Sequence, residues 1–211
     1  MPLFRRELLL AAASLSTVSL AGAALSGAGA QAPEDAPGTL LLPERGMGDP
    51  AAPMQVIEYF SMTCSHCATF HRETWPRVRE ALVDTGRVRM IWRDFPLDGV
   101  ALEVAQVARA APANAYEPLM GALLASQERW AFTQDAEVYV TEIARVAALA
   151  GMPRWQVEAA MDNGDLRDAI MQDRLTADRA HHVTRTPFFV FNGRRVPGAI
   201  SFARFVEMAS G

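Results

Sequence analysis

Hydrophobic and polar positions in the first half of the chain predict a strand, a helix and a second strand. Residues 54–60 are apolar apart from two positions, one of which is Glu58, and this pattern indicates a buried strand. Residues 68–84 place apolar side chains at helical spacing and predict a helix, which Pro76 should kink. A second strand is predicted over residues 88–95, where apolar residues alternate with arginines.

An alanine-rich stretch over residues 98–182 follows and is predicted to be helical. Its apolar periodicity predicts four helices, over residues 102–110, 116–126, 135–150 and 165–180. Thr133 is the predicted N-cap of the third helix, and Pro153 should open a further short helix.

The last part of the chain predicts a β-hairpin and a helix. The apolar run of residues 188–191 and the short run of residues 194–196 flank Asn192-Gly193. This dipeptide readily supplies the two positive φ angles of a type I′ turn. A helix is predicted over residues 201–209, with Ser201 as its cap. The order of elements predicts an α/β fold, a mixed central sheet flanked by helices.

Residues 1–32 have the pattern of a cleaved signal peptide. Arg5-Arg6 precedes an apolar stretch over residues 8–28, and Ala30-Gln31-Ala32 supplies a cleavage triplet. A membrane anchor is the alternative, since the stretch is nearly long enough to span a bilayer, but its Gly, Ser and Thr content favours cleavage. We expect export by the general secretory or the twin-arginine route, to a compartment where cysteine pairs can be oxidised.

Composition is that of a globular protein. Half of the 211 residues are hydrophobic, 21% are charged, and the formal net charge is −4. The acidic balance and the lack of a basic stripe with interleaved aromatic residues exclude nucleic acid as an expected partner. The length suits one large domain, or one domain with an insertion.

The chain has two cysteines, Cys64 and Cys67, which flank Ser65-His66 at the predicted turn from strand to helix. This position places Cys64 at the helix N-terminus, where unpaired N–H groups and the helix dipole stabilise a thiolate. His66 can add a cationic or neutral donor, and both effects lower a thiol pKa from its usual value of about 8.5. The motif therefore predicts thiol–disulfide chemistry.

Glu58 is a further candidate, because it lies in the run expected to be buried, six residues before Cys64. Buried acids are rare and are usually paired or functional. The alternative is a glutamate on an edge strand that faces water.

Two other kinds of site could explain the paired cysteines. Half of a zinc site could combine them with His66 and His71, but structural zinc sites usually show a second ligand pair at similar spacing. The remaining two histidines lie more than a hundred residues away, so no metal site is expected. An inert disulfide is the other possibility, although a four-residue loop would remove little entropy from the unfolded chain.

These features together resemble the DsbA-like periplasmic thiol:disulfide oxidoreductases of the thioredoxin superfamily. The matching residues are Glu58, Tyr59-Phe60, Cys64-Ser65-His66-Cys67 and Thr186-Pro187 just before the hairpin. The helical stretch also falls where that family carries its insertion, and the resemblance covers residues 48–205. It implies a thioredoxin fold with an inserted all-helical domain.

The sequence patterns and the resemblance together divide the chain into five expected parts. In order, they are a signal peptide over residues 1–32, an N-terminal tether over 33–53, a first part of the thioredoxin domain over 54–97, a helical insertion over 98–182, and a second part of the thioredoxin domain over 183–211. Within the tether, a short strand is expected at residues 39–42.

The resemblance also implies a role for each matching residue. Cys64 would be the exposed nucleophile and Cys67 the buried resolving thiol, while Glu58 would carry a proton to and from Cys67. Thr186-Pro187 would be a cis-proline dipeptide that lies against the disulfide and pairs with substrate backbone; a trans proline that opens the strand is the alternative.

The residues between the cysteines depart from the family pattern. The best-known oxidases carry Pro-His there, and this chain carries Ser65-His66. His66, the stronger influence on thiolate stability, is retained. Ser65 is expected at the substrate-binding surface and leaves the reduction potential open.

The implied function is that of a periplasmic oxidase that donates its Cys64–Cys67 disulfide to unfolded or partly folded secreted proteins through a mixed disulfide, with no other cofactor. A DsbB-like, quinone-linked membrane protein would re-oxidise the pair. Family isomerases carry an N-terminal dimerisation domain, and residues 33–53 are too few to form one, so a monomer is expected.

Three other functions remain open. The first is an isomerase or reductase on the same fold, because Thr186 before the proline also occurs in isomerases. The second is a metal-binding module that uses the cysteine pair with His66 and His71. The third is a non-catalytic peptide-binding domain, which would require that Cys64→Ala keep full biological activity.

Overall fold

The computed structural model describes residues 41–211. The predicted signal peptide and residues 33–40 of the predicted tether lie outside the described residues. Leu41 and Leu42, the described half of the stretch expected to form a strand, are not in a strand. The reason is that the Asp173 carboxylate accepts both of their backbone N–H groups, at 2.7 and 3.1 Å. The first strand forms a few residues later.

Five strands of residues 41–211 form one mixed sheet. They are β1 (Arg45–Met47), β2 (Met54–Phe60), β3 (Val88–Asp94), β4 (Phe188–Phe191) and β5 (Arg194–Pro197). Their order across the sheet is β1-β3-β2-β4-β5. β2 and β3 run parallel, and the other three neighbouring pairs are antiparallel. The predicted mixed sheet is confirmed, and β2 occupies its centre.

Helices cover the sheet and fill the stretch between β3 and β4. They are α1 (Ser65–Thr69), α2 (Trp75–Val78), α3 (Gly99–Ala110), α4 (Tyr116–Ala125), α5 (Gln127–Trp130), α6 (Ala136–Ala147), α7 (Arg154–Met161), α8 (Gly164–His181) and α9 (Phe202–Ser210). Two 3₁₀ turns, Ala113–Ala115 and Ala148–Ala150, adjoin α4 and α6. None of the helices in this described part of the chain is both long and apolar enough to cross a membrane.

The helix after β2 is continuous but widens at two places. Two π-helical turns, Phe70–Thr74 and Arg79–Val83, follow α1 and α2 respectively. Pro76 explains the first, because it has no N–H for the carbonyl of Arg72 and its ring crowds that oxygen. The Trp75 N–H accordingly donates to the Phe70 carbonyl, five residues back. The predicted kink is therefore a widened turn.

The cap predicted for the third helix of the stretch is wrong. Asp135, which directly precedes α6, accepts the N–H groups of Glu137 and Val138 at 2.9 and 3.3 Å. The hydroxyl of Thr133 instead accepts the N–H of Asp135 at 3.1 Å. An N-cap must stand immediately before the first helical residue, and Thr133 lies two residues too early.

The side chains of β2 alternate between two cores. Val56 and Phe60 belong to the larger core, together with residues of α1, α4 and α9. Ile57 and Tyr59 belong to the smaller core on the opposite face, which Ala177 of α8 closes. Glu58 shares the face of Val56 and Phe60 by the same alternation, so β2 directs this carboxyl toward the helix that carries the cysteines.

Candidate active site

Cys64 is the N-cap of α1, which begins at Ser65 rather than at the expected residue 68. Its backbone is extended, and its Sγ accepts the backbone N–H of Cys67 at 3.4 Å. In its thiol form, its S–H donates to the carbonyl oxygen of Thr186, which lies 3.3 Å from Sγ. The sulfur of Cys64 therefore lies between the helix N-terminus and the segment before β4, and the two cysteines are free thiols.

The surroundings of Cys64 favour its thiolate. Hydrogen bonds lower the pKa of Cys64 to about 5. The largest contribution comes from the Cys67 side chain, and the Thr186 side chain and the backbone amides of Cys67 and His66 add to it. Partial burial of Cys64 acts in the opposite direction. This environment therefore favours the thiolate form of Cys64 at neutral pH.

The surroundings of Cys67 have the opposite effect. Its side chain is completely buried. Burial raises the pKa of Cys67 well above the usual value, and the hydrogen bond with Cys64 and the charges of Glu58 and Cys64 raise it further. Two thiols three residues apart thus ionise under very different conditions, one at the surface and one inside.

The Thr186–Pro187 peptide bond is cis, as the resemblance implies. Both residues are buried. The carbonyl of Thr186 is held against Cys64, and the carbonyl of Pro187 accepts the N–H of Gly198 at 2.9 Å. This segment is therefore fixed directly beside the sulfur that would react.

Ser65 and His66 are both exposed on the first turn of α1. His66 lowers the pKa of Cys64 through its backbone amide. The contribution expected from its imidazole, and the contact of Ser65 with substrate, stay predictions.

Glu58 is completely buried and pairs with a histidine. Its Oε2 lies 3.0 Å from Nε2 of His71, whose side chain is only 2% exposed. Neither the second carboxylate oxygen of Glu58 nor Nδ1 of His71 has a hydrogen-bond partner among the described residues. The site thus contains a buried acid–base pair behind Cys67, and the charge of Glu58 acts on that thiol.

Sequence reasoning considered His71 only as a zinc ligand and missed its pairing with Glu58. Spacing carried a signal, because His71 follows Cys67 by four residues on one helix, which places the two on the same face. Within residues 41–211, no group of three or more His, Cys, Asp and Glu side chains is arranged to hold a metal ion.

A second feature that sequence reasoning missed is the support of the loop between β2 and α1. The buried side chain of Gln127 donates to the carbonyl of Met62 at 2.7 Å. The hydroxyl of Thr63 donates to Asp98 at 2.7 Å, and Asp98 also caps α3. The helical stretch thus holds the loop that leads to Cys64.

A family model described as Thioredoxin (Thioredoxin_4) matches residues 42–209. The chain belongs to this thioredoxin family. It is 26% identical over 148 residues to a protein of Rickettsia conorii named as a protein-disulfide oxidoreductase, a match that covers 70% of this chain and 52% of that protein. The chain therefore spans about half the length of the curated relatives it matches.

Two solved structures share the fold of this chain. The chain is similar to Wolbachia pipientis α-DsbA1, with a TM-score of 0.72 and 28% identity over 81% of this chain and 92% of that one. BdbD of Bacillus subtilis has the same fold, with a TM-score of 0.68 at 14% identity over 79% of this chain and 91% of that one. The predicted thioredoxin fold and the resemblance to DsbA-like proteins are confirmed.

Proposed function

We propose that this protein is an exported thiol:disulfide oxidoreductase that donates a Cys64–Cys67 disulfide to folding secreted proteins. The observation that carries the proposal is the opposite tuning of the two thiols. A pKa of about 5 at Cys64 makes it a good leaving group and stabilises the reduced form, which makes the pair oxidising. The names of the rickettsial relatives and of α-DsbA1 support the same reaction class.

The reaction has two exchange steps. A substrate thiolate attacks Sγ of Cys64, the Cys64–Cys67 bond breaks, and Cys67 leaves as a thiolate that takes up a proton. A second substrate thiolate then attacks the substrate sulfur of the mixed disulfide and releases Cys64 as a thiolate. The substrate loses two electrons and gains a disulfide, while the pair on this protein is reduced.

The surroundings of Cys64 suit an unfolded polypeptide. Backbone groups near the cis Thr186–Pro187 bond lie beside the sulfur. Leu97, which is 53% exposed, lies next to the loop between β2 and α1 that leads to Cys64. The position of Leu97 is fixed because its N–H donates to the Ser61 hydroxyl at 3.3 Å. An extended chain with apolar side chains could therefore contact both features while its thiol reaches Cys64.

The proposal includes the compartment, the oligomeric state and the recycling partner of the protein. The protein would act in the periplasm as a monomer, with the disulfide as its only redox group. A DsbB-like membrane protein would return two electrons from the reduced pair to a quinone. Re-oxidation requires such a partner because each donated disulfide leaves Cys64 and Cys67 reduced.

An isomerase or reductase on the same fold is the competing function. An isomerase attacks existing disulfides with reduced Cys64, so it would re-activate a scrambled substrate protein without net oxidation. A disulfide donor acts on a fully reduced substrate and consumes its thiols in stoichiometric amounts.

A peptide with a single cysteine tests the proposal directly. Mixed with the oxidised protein, it should form a transient adduct on Cys64, which Cys67 or a second peptide molecule then resolves, so the reaction is stopped at early times. Acid quenching and mass spectrometry locate the adduct, and a reduced protein substrate should lose two thiols per enzyme disulfide. Oxidation of that substrate by the Cys64→Ala variant at the rate of the unaltered protein would contradict the proposal.

A further inference from the structure

The proposed reaction places a demand on Cys67 that its burial makes difficult to meet. This thiol must gain a proton when it leaves the disulfide and lose it again when the disulfide re-forms. Cys67 has no exposed surface, and neither has Glu58, the acid expected to exchange a proton with it. Glu58 therefore needs its own connection to water.

His71 is the polar side chain bonded to Glu58. Nε2 of His71 lies 3.0 Å from Oε2 of Glu58. Aromatic rings hold the imidazole in place, with Phe70, Phe60 and Trp75 at centroid distances of 5.5, 6.1 and 6.4 Å. An imidazole has two nitrogens, so it can take a proton at one and release a proton from the other.

A groove on the surface reaches His71. It has a volume of about 400 Å³, and His71 forms part of its lining together with Trp75, Arg79, Glu80, Asp84 and Glu117. Trp75 is anchored there by a 2.7 Å hydrogen bond from its indole N–H to Glu117. The histidine that contacts the buried acid on one side therefore borders a solvent-filled groove on the other, with 2% of its side chain exposed and its Nδ1 without a hydrogen-bond partner among the described residues.

We propose that His71 is a proton-relay residue that connects Glu58 with water in this groove, an inference that rests on the proposed function. When Cys67 leaves as a thiolate, Glu58 gives it a proton and becomes a carboxylate. His71 passes a proton from Nε2 to that carboxylate and takes one at Nδ1 from a water molecule of the groove, and the hydroxide left behind neutralises the proton that the substrate thiol released to solvent. Disulfide re-formation runs the same transfers in reverse, so every proton is accounted for.

His71 acts through Glu58 and not on the reacting sulfur, so it is a positioning residue rather than a catalytic one. The charged groups that face it are Glu58 from β2, Arg79, Glu80 and Asp84 from its own helix, and Glu117 from α4. The uncharged rings of Phe60, Phe70 and Trp75 also lie against it.

The reaction of the reduced protein with oxidised glutathione separates the two cysteines in time. Cys64 first attacks glutathione disulfide to give a mixed disulfide, and Cys67 then attacks Cys64 to release glutathione. Only the second step requires Cys67 to lose its proton. Quenched-flow mass spectrometry measures both rates in the same experiment.

The first test variant is His71→Gln, whose amide can still donate to Glu58 but cannot carry a proton. We expect the second step to slow by about tenfold or more, a modest value for the loss of acid–base assistance. The first step should stay unchanged. In a Glu58→Gln background the same substitution should have no further effect, because the relay acts only through Glu58. An unchanged second step in His71→Gln would overturn the inference.

A rescue experiment covers the case in which packing, not proton transfer, causes the defect. In His71→Ala, free imidazole should enter the groove and restore the second step, whereas pyrazole, a ring of equal size that is not a base at neutral pH, should not. Equal rescue by both would overturn the relay.

His182→Ala, which removes an exposed imidazole at the end of α8, is the matched control. If the unaltered protein itself fails at the first step, the proposed function fails, a result distinct from failure of the relay.

Discussion

The low pKa of Cys64 depends most on its hydrogen bond with the Cys67 side chain, and removing that group is a quantitative test. Cys67→Ala deletes the thiol but keeps the backbone amide that donates to Cys64 at 3.4 Å. A hydrogen bond to a charged group contributes about 1.5–3 kcal/mol, and 1.36 kcal/mol corresponds to one pKa unit. The pKa of Cys64 should therefore rise from about 5 to roughly 6–7, and remain below the usual value of about 8.5.

The matched variant is Cys67→Ser, which keeps a donor of similar size at the same position. Its Cys64 should retain a pKa close to that of the reduced, unaltered protein. Absorbance at 240 nm, which reports the thiolate, gives the pKa by titration of each protein, and the rate of alkylation by iodoacetamide checks it. The reasoning is refuted if Cys67→Ala and Cys67→Ser titrate at the same pH as the unaltered protein.

Three further predictions concern the same site and its support. His66→Ala keeps the backbone amide that lowers the pKa of Cys64, whereas His66→Pro removes it, so thiolate titration should show the larger rise in His66→Pro; equal values would contradict the role of the amide. The pKa of Cys64 is lowered in the folded state, so its thiolate adds stability that is complete above about pH 8.5 and is lost as the pH falls to about 5. In urea unfolding of the reduced protein, the free energy of unfolding relative to Cys64→Ala should therefore increase as the pH rises from about 5 to about 8.5. A difference that does not change with pH would contradict the stabilising role of the thiolate. Gln127→Leu leaves the buried Met62 carbonyl unpaired and should cost about 1–3 kcal/mol, while the exposed Gln134→Leu should cost far less; similar unfolding midpoints would disprove the support of the loop.

Much of the fold could be predicted from the sequence, because local patterns determine its elements. The apolar run of β2 matches the observed strand residue for residue, and the Asn192-Gly193 turn has positive φ at both positions, 42° and 85°. The buried position of Glu58 followed from the same run. Cys64 at a helix N-terminus followed from the change of period after β2.

Short elements and long-range contacts could not be predicted in the same way. β1 and α5 have only three and four residues, too few for any periodicity to emerge. Gln127 reaches Met62 across 65 positions, and Glu58 meets His71 from a different element. Such contacts depend on how strands and helices pack, which no local pattern specifies.

Packing also explains one polar cluster that the sequence did not suggest. Asp94 at the end of β3 forms a buried ion pair with Arg109 of α3, with 2.5 Å between Oδ2 and Nε. The Asp94 charge and burial act in opposite directions on Arg109, and the charge prevails, so the pKa of Arg109 is raised. The pair joins the sheet to the helical stretch, and neither residue stood out from its neighbours in the chain.

The equilibrium of the protein with glutathione tests the central claim most directly. The protein is incubated with a series of reduced-to-oxidised glutathione ratios, and the fraction of the Cys64–Cys67 disulfide is measured by thiol trapping. A disulfide donor with so acidic a Cys64 should have a reduction potential near the ~−120 mV of strong oxidants. A potential near the ~−270 mV of thioredoxin would contradict the account and indicate a reductase.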